Sequence, residues 1–389
     1  MSRTSRCAWI ALSLSLAVPV GVDAQAETPE ALARRVLATS PLIDGHNDLP
    51  WAIRESSLAP LDVEAPEHDL RGRTPFHTDI DRLRAGMVGG QFWSVYIPYE
   101  SVETGAAKMQ LEQLDIALQF IAKYPDVFEL ALDASDVERV FASGRIASML
   151  GIEGGHAIEN SLGALRAYYD MGVRYMTLTH NGTLDWADAG SGEHLHGGLT
   201  EFGREVVREM NRLGMLVDLA HTSPETMNDA LDVAEAPVIW SHAGARGVNE
   251  HSRNVPDQVL RRLPDNGGVV MVMFYPPFIS PRDEATLSDV ADHIEHVAAL
   301  AGIDHVGIGS DFDGIELVPT GLEDVSTFPA LFTELARRGW SEDDLTKLAG
   351  QNVLRVMRQA EAVSRRLRRE RSPSTATIQE LDGVPVSAR

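Results

Sequence analysis

Six short apolar runs in this chain each stop at an acid or an imidazole, and this pattern constrains the fold more than any other. Pro41-Leu42-Ile43 leads into Asp44-Gly45-His46-Asn47-Asp48, and Ala147 to Ile152 leads into Glu153. Tyr175 to Thr179 ends at His180, Met215 to Ala220 at His221, Val238 to Ser241 at His242, and Val306 to Ser310 at Asp311. Short continuous apolar runs suit parallel strands buried on both faces. Strands that end in chemistry-bearing side chains point to one pocket at their shared C-terminal end. Histidine, aspartate and glutamate gathered there are the ligand types of a two-metal hydrolase.

The rest of the chain alternates in the same way. Apolar runs end near Asp48, Pro98, Glu153, His180, His221, His242, Phe274 and Asp311, with helical spacing between them. Leu111, Leu114, Ala117, Leu118 and Ile121 share one helix face; Thr200 caps a helix that Gly214 stops; Ser223-Pro224 starts another. Val290, Ile294, Val297 and Ala298 mark the helix before the last strand. This repetition predicts a (β/α)8 TIM-type barrel spanning residues 27–360. The competing open, doubly wound sheet lacks a Gly-x-Gly-x-x-Gly turn after its first strand. Two extra C-terminal helices are expected, from Thr327 to Arg338 and from Ser341 to about Arg358. Residues 361–389, basic and then rich in Ser, Thr and Pro, read as a disordered tail.

Composition limits the partners. A formal charge of -23 disfavours nucleic acid and anionic membranes, both of which need clustered cations. Residues 1–26 read as a cleavable signal peptide, with Arg3 and Arg6, an apolar stretch from Cys7 to Val22, and Ala24-Gln25-Ala26 for cleavage. A membrane anchor fits less well, because Ser13, Ser15 and Pro19 interrupt a stretch that is short for a span. No other segment is apolar enough to cross a bilayer. A secreted or periplasmic location follows. The single cysteine, Cys7, falls inside this leader, so any metal in the mature chain must be held by His, Asp and Glu.

The spacing suggests how. Residues two apart on a strand face the same way, so His46 and Asp48 can share one metal. Glu153 has two oxygens and can give one to each of two cations about 3.5–4 Å apart. His221 and His242 would complete the second site. Nitrogen and oxygen donors suit zinc best, with manganese or cobalt as alternatives. The metal pair would generate a bridging hydroxide, and Asp311 is placed to accept its proton and deliver it to a leaving amine. Asp44, Asp218 and His156 read as supporting residues, His194 and His196 as loop residues, and Asp313 as a weaker candidate than Asp311.

The motifs Asp44-Gly45-His46-Asn47-Asp48-Leu49-Pro50, Gly151-Ile152-Glu153-Gly154-Gly155-His156, Leu178-Thr179-His180-Asn181, Ser241-His242-Ala243, His251-Ser252-Arg253-Asn254 and Gly309-Ser310-Asp311-Phe312-Asp313-Gly314 resemble the membrane dipeptidase (renal dipeptidase) family of zinc peptidases. The resemblance runs from about Pro41 to Arg358. It implies an amidohydrolase-like barrel, two zinc ions bridged by Glu153, and hydrolysis of dipeptides. It also assigns His180 to the substrate near the scissile carbonyl, Arg253 to the substrate, and Asp311 to proton transfer, and it suggests a homodimer. A planar guanidinium at Arg253 would suit a free carboxylate. Animal cell-surface members use disulfides and a lipid anchor added at an apolar tail; the lack of both here implies a bacterial secreted form. The alternatives are hydrolysis of another small amide, such as an N-acyl amino acid or a β-lactam, and a metal-binding protein with a relic site. Side-chain preference would depend on the loops Tyr96 to Thr104 and Phe274 to Arg282.

Overall fold

The computed structural model describes residues 27–56, 59–282 and 284–384. The leader and Cys7 therefore lie outside the described residues. Among the described residues, nine strands form one parallel sheet: β1 (Leu42–Asn47), β2 (Val88–Ser94), β3 (Phe128–Leu130), β4 (Ile146–Glu153), β5 (Val173–Thr177), β6 (Leu216–Asp218), β7 (Ile239–Ala243), β8 (Val269–Val272) and β9 (Val306–Ile308). Their order is β2-β1-β9-β8-β7-β6-β5-β4, and β2 pairs back onto β4 from Gly90↔Ala147 to Ser94↔Gly151, which closes an eight-stranded barrel. The ninth, β3, was not expected; it runs beside the start of β4, pairing Phe128 with Ile146. Each expected apolar run thus supplies one barrel strand.

The interior is filled by side chains. Ile43, Phe92, Met149, Tyr175, Ile239 and Met271 belong to one cluster and are fully buried. Fitting Tyr175 there requires Gly151 on the neighbouring strand: a Cβ at Gly151 would sit 2.0 Å from the phenol Cζ. Large and small residues therefore alternate across the barrel, as close packing demands.

The helices form where their caps predict. Thr200 Oγ1 accepts the Gly203 N–H at the start of the helix Glu201–Leu213, and Gly214 ends it with φ +86°. Ser223 caps Pro224–Val233, and Thr286 with Asp289 forms a reciprocal box on Leu287–Ala301. The two extra C-terminal helices are present as Phe328–Arg337 and a helical run over 342–370 that passes through a π turn at Lys347–Gln351. The second run lies across the N-terminal end of the barrel. Asn352 Nδ2 donates to Ile303 O and Val306 O, Arg355 donates to Gly267 O and Asp304 O, and Val353 and Met357 join the interior cluster.

The expectation of a disordered tail from residue 361 is corrected. The helix continues to Glu370, and a further short helix, Ile378–Asp382, carries its own capping box from Thr377 and Glu380. Arg368 donates to Arg212 O and Leu213 O at the end of the 201–213 helix, Arg366 and Arg371 pair with Glu235, and Asp382 accepts from Thr200 Oγ1 at that helix's start. Ile378 is buried. Composition alone misread the segment because its charges are spent on fixed partners at the ends of the 201–213 helix and at Glu235.

Candidate active site

At the C-terminal end of the barrel the strand ends converge around Glu153. Its Oε1 faces His221 Nε2 at 2.9 Å, His242 Nε2 at 3.3 Å and His180 Nε2 at 3.9 Å. Its Oε2 faces His46 Nε2 at 3.5 Å. His46 Nε2 is also 3.2 Å from Asp48 Oδ2 and 3.9 Å from Asp311 Oδ1. The two carboxylate oxygens are thus divided between two groups of side chains. All five expected ligands, His46, Asp48, Glu153, His221 and His242, are buried and assembled here, with His180 and Asp311 beside them. His180 groups with Glu153 and His221, and Asp311 with His46 and Asp48, so geometry alone extends each group by one residue beyond the set read from sequence.

The far nitrogen of each central imidazole has a fixed acceptor. His46 Nδ1 lies 2.8 Å from the Tyr175 hydroxyl, which itself donates to Gly45 O at 3.3 Å. His221 Nδ1 lies 3.2 Å from Asn181 Oδ1, and His242 Nδ1 2.9 Å from Ser241 Oγ, which donates to Asp218 Oδ2 at 2.6 Å. Each Nδ1 therefore carries the proton, and each Nε2 lone pair points into the cluster. His221 Nε2 and His242 Nε2 are 2.9 Å apart. Two nitrogen lone pairs at that distance repel unless a cation accepts both. His46 Nε2 and Asp48 Oδ1 are buried without a hydrogen bond, which points the same way. The donor set fits divalent metal.

A cavity of about 580 Å³ opens over this cluster, a size that suits a small-molecule ligand. Its walls include Trp51, Tyr96, Tyr275 and Phe278, so both loops expected to shape specificity reach it. Arg253 also lines it; its side chain is buried, and Nε and Nη1 have no hydrogen-bond partner among the described residues. Burial pulls this guanidinium down to about 10, opposed by Asp311 and Glu153, so it stays cationic at neutral pH. The guanidinium lies over the Phe278 ring at 5.6 Å, and His251 stacks on the same ring at 4.2 Å. Burial, reinforced by Asp48 and Glu153, raises the Asp311 carboxyl well above its usual range. His156 is pushed down to about 4 by burial and donates its Nε2 proton to Ile97 O, a structural role.

Three residues of the site adopt left-handed backbone: His221 (φ +64°), Asp311 (φ +69°) and Asp313 (φ +66°). For non-glycine residues this costs about 1–2 kcal/mol each, and such strain concentrates where a side chain must be aimed. Sequence reasoning missed Tyr175, which lies inside a strand and carries no spacing signal. It also missed Ser241 and Ser310, although each directly precedes a functional residue. Asp313 lines the cavity as well, with Oδ2 buried and unpartnered, while His194 lies on an exposed loop.

Comparison with known proteins adds the family. Residues 30–371 match the family described as membrane dipeptidase (peptidase family M19). An uncharacterised dipeptidase of Schizosaccharomyces pombe is 48% identical over 366 residues, covering 90% of this chain and 88% of that protein. Among solved structures, the probable dipeptidase PvdM of Pseudomonas aeruginosa superposes with a TM-score of 0.78 at 21% identity, covering 86% of this chain and 99% of that one, and supports the fold alone. A metallopeptidase of Rhodobacter sphaeroides, liganded with a phosphinate mimic of the dipeptide L-Ala-D-Ala, matches at 25% identity with a TM-score of 0.72 over 82% of this chain and 99% of that one.

Proposed function

The chain belongs to the membrane dipeptidase family, peptidase family M19, and on that premise we propose that it is a dizinc enzyme that hydrolyses the peptide bond of dipeptides. A metallo-dipeptidase needs a metal pair, a grip on the substrate's free terminus and a proton carrier, and this cavity offers a candidate for each. The observation that carries the reading is the division of Glu153, one oxygen toward His46 and the other toward His221 and His242. His46, Asp48 and Glu153 Oε2 would hold one zinc, and Glu153 Oε1, His221 and His242 the other. When bound, the pair supplies Lewis acidity toward the scissile carbonyl and a hydroxide nucleophile near neutral pH.

The chain's own residues do the rest. Arg253, buried and cationic, with Nε and Nη1 free of hydrogen bonds among the described residues, receives the substrate's terminal carboxylate as a two-pronged hydrogen bond. That contact confines hydrolysis to the bond one residue from the C-terminus. His180, which burial holds neutral, donates to the carbonyl oxygen as it gains charge. Asp311 takes the proton of the attacking water and passes it to the departing amine. Tyr96, Tyr275 and Phe278 wall the cavity and give it an apolar surface for substrate side chains. We further propose that residues 1–26 are a signal peptide that directs a bacterial form of the enzyme to the periplasm or medium, and that two copies form a homodimer.

The test is direct. Purified protein should carry about two zinc equivalents, lose dipeptide hydrolysis on chelation and regain it with zinc. A dipeptide should be cleaved far faster than its C-terminally amidated form. Arg253→Ala should raise KM for the free dipeptide about 100-fold with a smaller change in kcat, and should erase the preference over the amide. Equal cleavage of both forms by the wild type would instead assign the enzyme to another class of small amide.

A further inference from the structure

Two clamps of the same construction stand behind the site. On β1, Asp44 Oδ1 accepts the backbone N–H of Ser310 at 2.7 Å, and Oδ2 accepts the Ser310 hydroxyl at 2.7 Å. On β6, Asp218 Oδ1 accepts the backbone N–H of Ser241 at 2.8 Å, and Oδ2 accepts its hydroxyl at 2.6 Å. Each aspartate also takes the N–H two residues ahead of it, from His46 at 3.4 Å and from Ala220 at 3.1 Å. All four residues are fully buried. Ser310 directly precedes Asp311, and Ser241 directly precedes His242.

The clamps differ in what they reach. Ser241 Oγ continues to the imidazole, accepting from His242 Nδ1 at 2.9 Å. A carboxylate behind that hydroxyl makes it a stronger acceptor and so makes His242 Nε2 a better donor to a cation. Asp218 also holds the Ala220 N–H, immediately before the left-handed His221. Ser310 Oγ touches no imidazole; it accepts the N–H of Phe312 at 3.3 Å and lies 3.3 Å from the backbone oxygen of His46, which the Asp311 N–H also holds at 3.1 Å. With Asp44 on its own N–H, Ser310 thus brackets the left-handed Asp311 from both sides.

We propose that these are positioning pairs with separate duties: Asp218 with Ser241 secures metal retention through His242, and Asp44 with Ser310 aims the Asp311 carboxylate. The proposal rests on the function given above for those two residues. Both serines sit at strand ends in a filled barrel, so a purely structural role would make their removal alike. Separate duties make it unlike.

The full chain, zinc-loaded, is compared with Ser241→Ala and Ser310→Ala. Zinc affinity is measured by competition with a colorimetric chelator, kcat and KM are measured on a dipeptide, and melting temperature serves as a fold control. Ser241→Ala should weaken zinc binding about 10–100-fold. Ser310→Ala should keep wild-type zinc affinity and KM while kcat falls about 10–100-fold. Asp218→Asn, which keeps the side-chain volume, should reproduce the zinc loss and serves where Ser241→Ala folds poorly. Wild-type zinc affinity in both Ser241→Ala and Asp218→Asn overturns the proposal. So does wild-type kcat in Ser310→Ala, or the same mixed deficit in both serine variants in step with a lowered melting temperature. The zinc measurement needs no substrate, so a wild type that cleaves no dipeptide would reject the proposed function and still leave the Asp218 clamp decided.

Discussion

Glu153→Gln is expected to empty the metal centre and to lower kcat/KM by about 1000-fold or more. The substitution keeps volume and shape, so the strand end that carries it has no reason to move. What changes is the charge between two groups of imidazoles. Oε1 lies within 3.3 Å of two Nε2 atoms and Oε2 within 3.5 Å of a third. An amide turns one of those contacts from acceptor to donor and removes the one carboxylate that, among the described residues, both groups share. Zinc content by mass spectrometry, alongside dipeptide turnover, checks this. Two retained zinc equivalents would deny the bridging role.

Asp311→Asn should behave in the opposite way toward the metal, retaining it while kcat falls about 100- to 10,000-fold, the usual worth of a placed acid–base group. Asparagine is the informative replacement because it tolerates left-handed backbone, and Asp311 sits at φ +69°. An alanine would confound loss of the proton carrier with strain. KM should change little, since Arg253 keeps its hold on the substrate. Loss of zinc in this variant would make Asp311 a ligand of the His46 and Asp48 group, with which it clusters.

Most of the parts of this site that were legible in sequence terminate an apolar run. Glu153, His221 and His242 can be read that way because a parallel strand buried on both faces has no other reason to end in a charge or an imidazole. His46 and Asp48 came from period-two spacing, although Asp48 already lies one residue past β1 and starts the next helix. What stayed hidden depends on which strands become neighbours. Ser310 meets Asp44 because β9 pairs with β1, a pairing across 266 residues that no local pattern encodes. Tyr175 reads as one more apolar strand residue; its hydroxyl gains meaning only against His46. The tail was misjudged for a related reason, since Ser364 and Arg368 find their partner at Arg212, 152 and 156 residues away in sequence.

The helix that plugs the barrel floor has a consequence for biosynthesis. Val353 and Met357 complete the interior, and they follow every barrel strand in the chain. A chain truncated near residue 340 should therefore remain open to added protease even though it contains all eight barrel strands, and protection should arrive only when the segment through Met357 is included. Late closure of this kind keeps the barrel pliable until the helix that follows its last strand has been made.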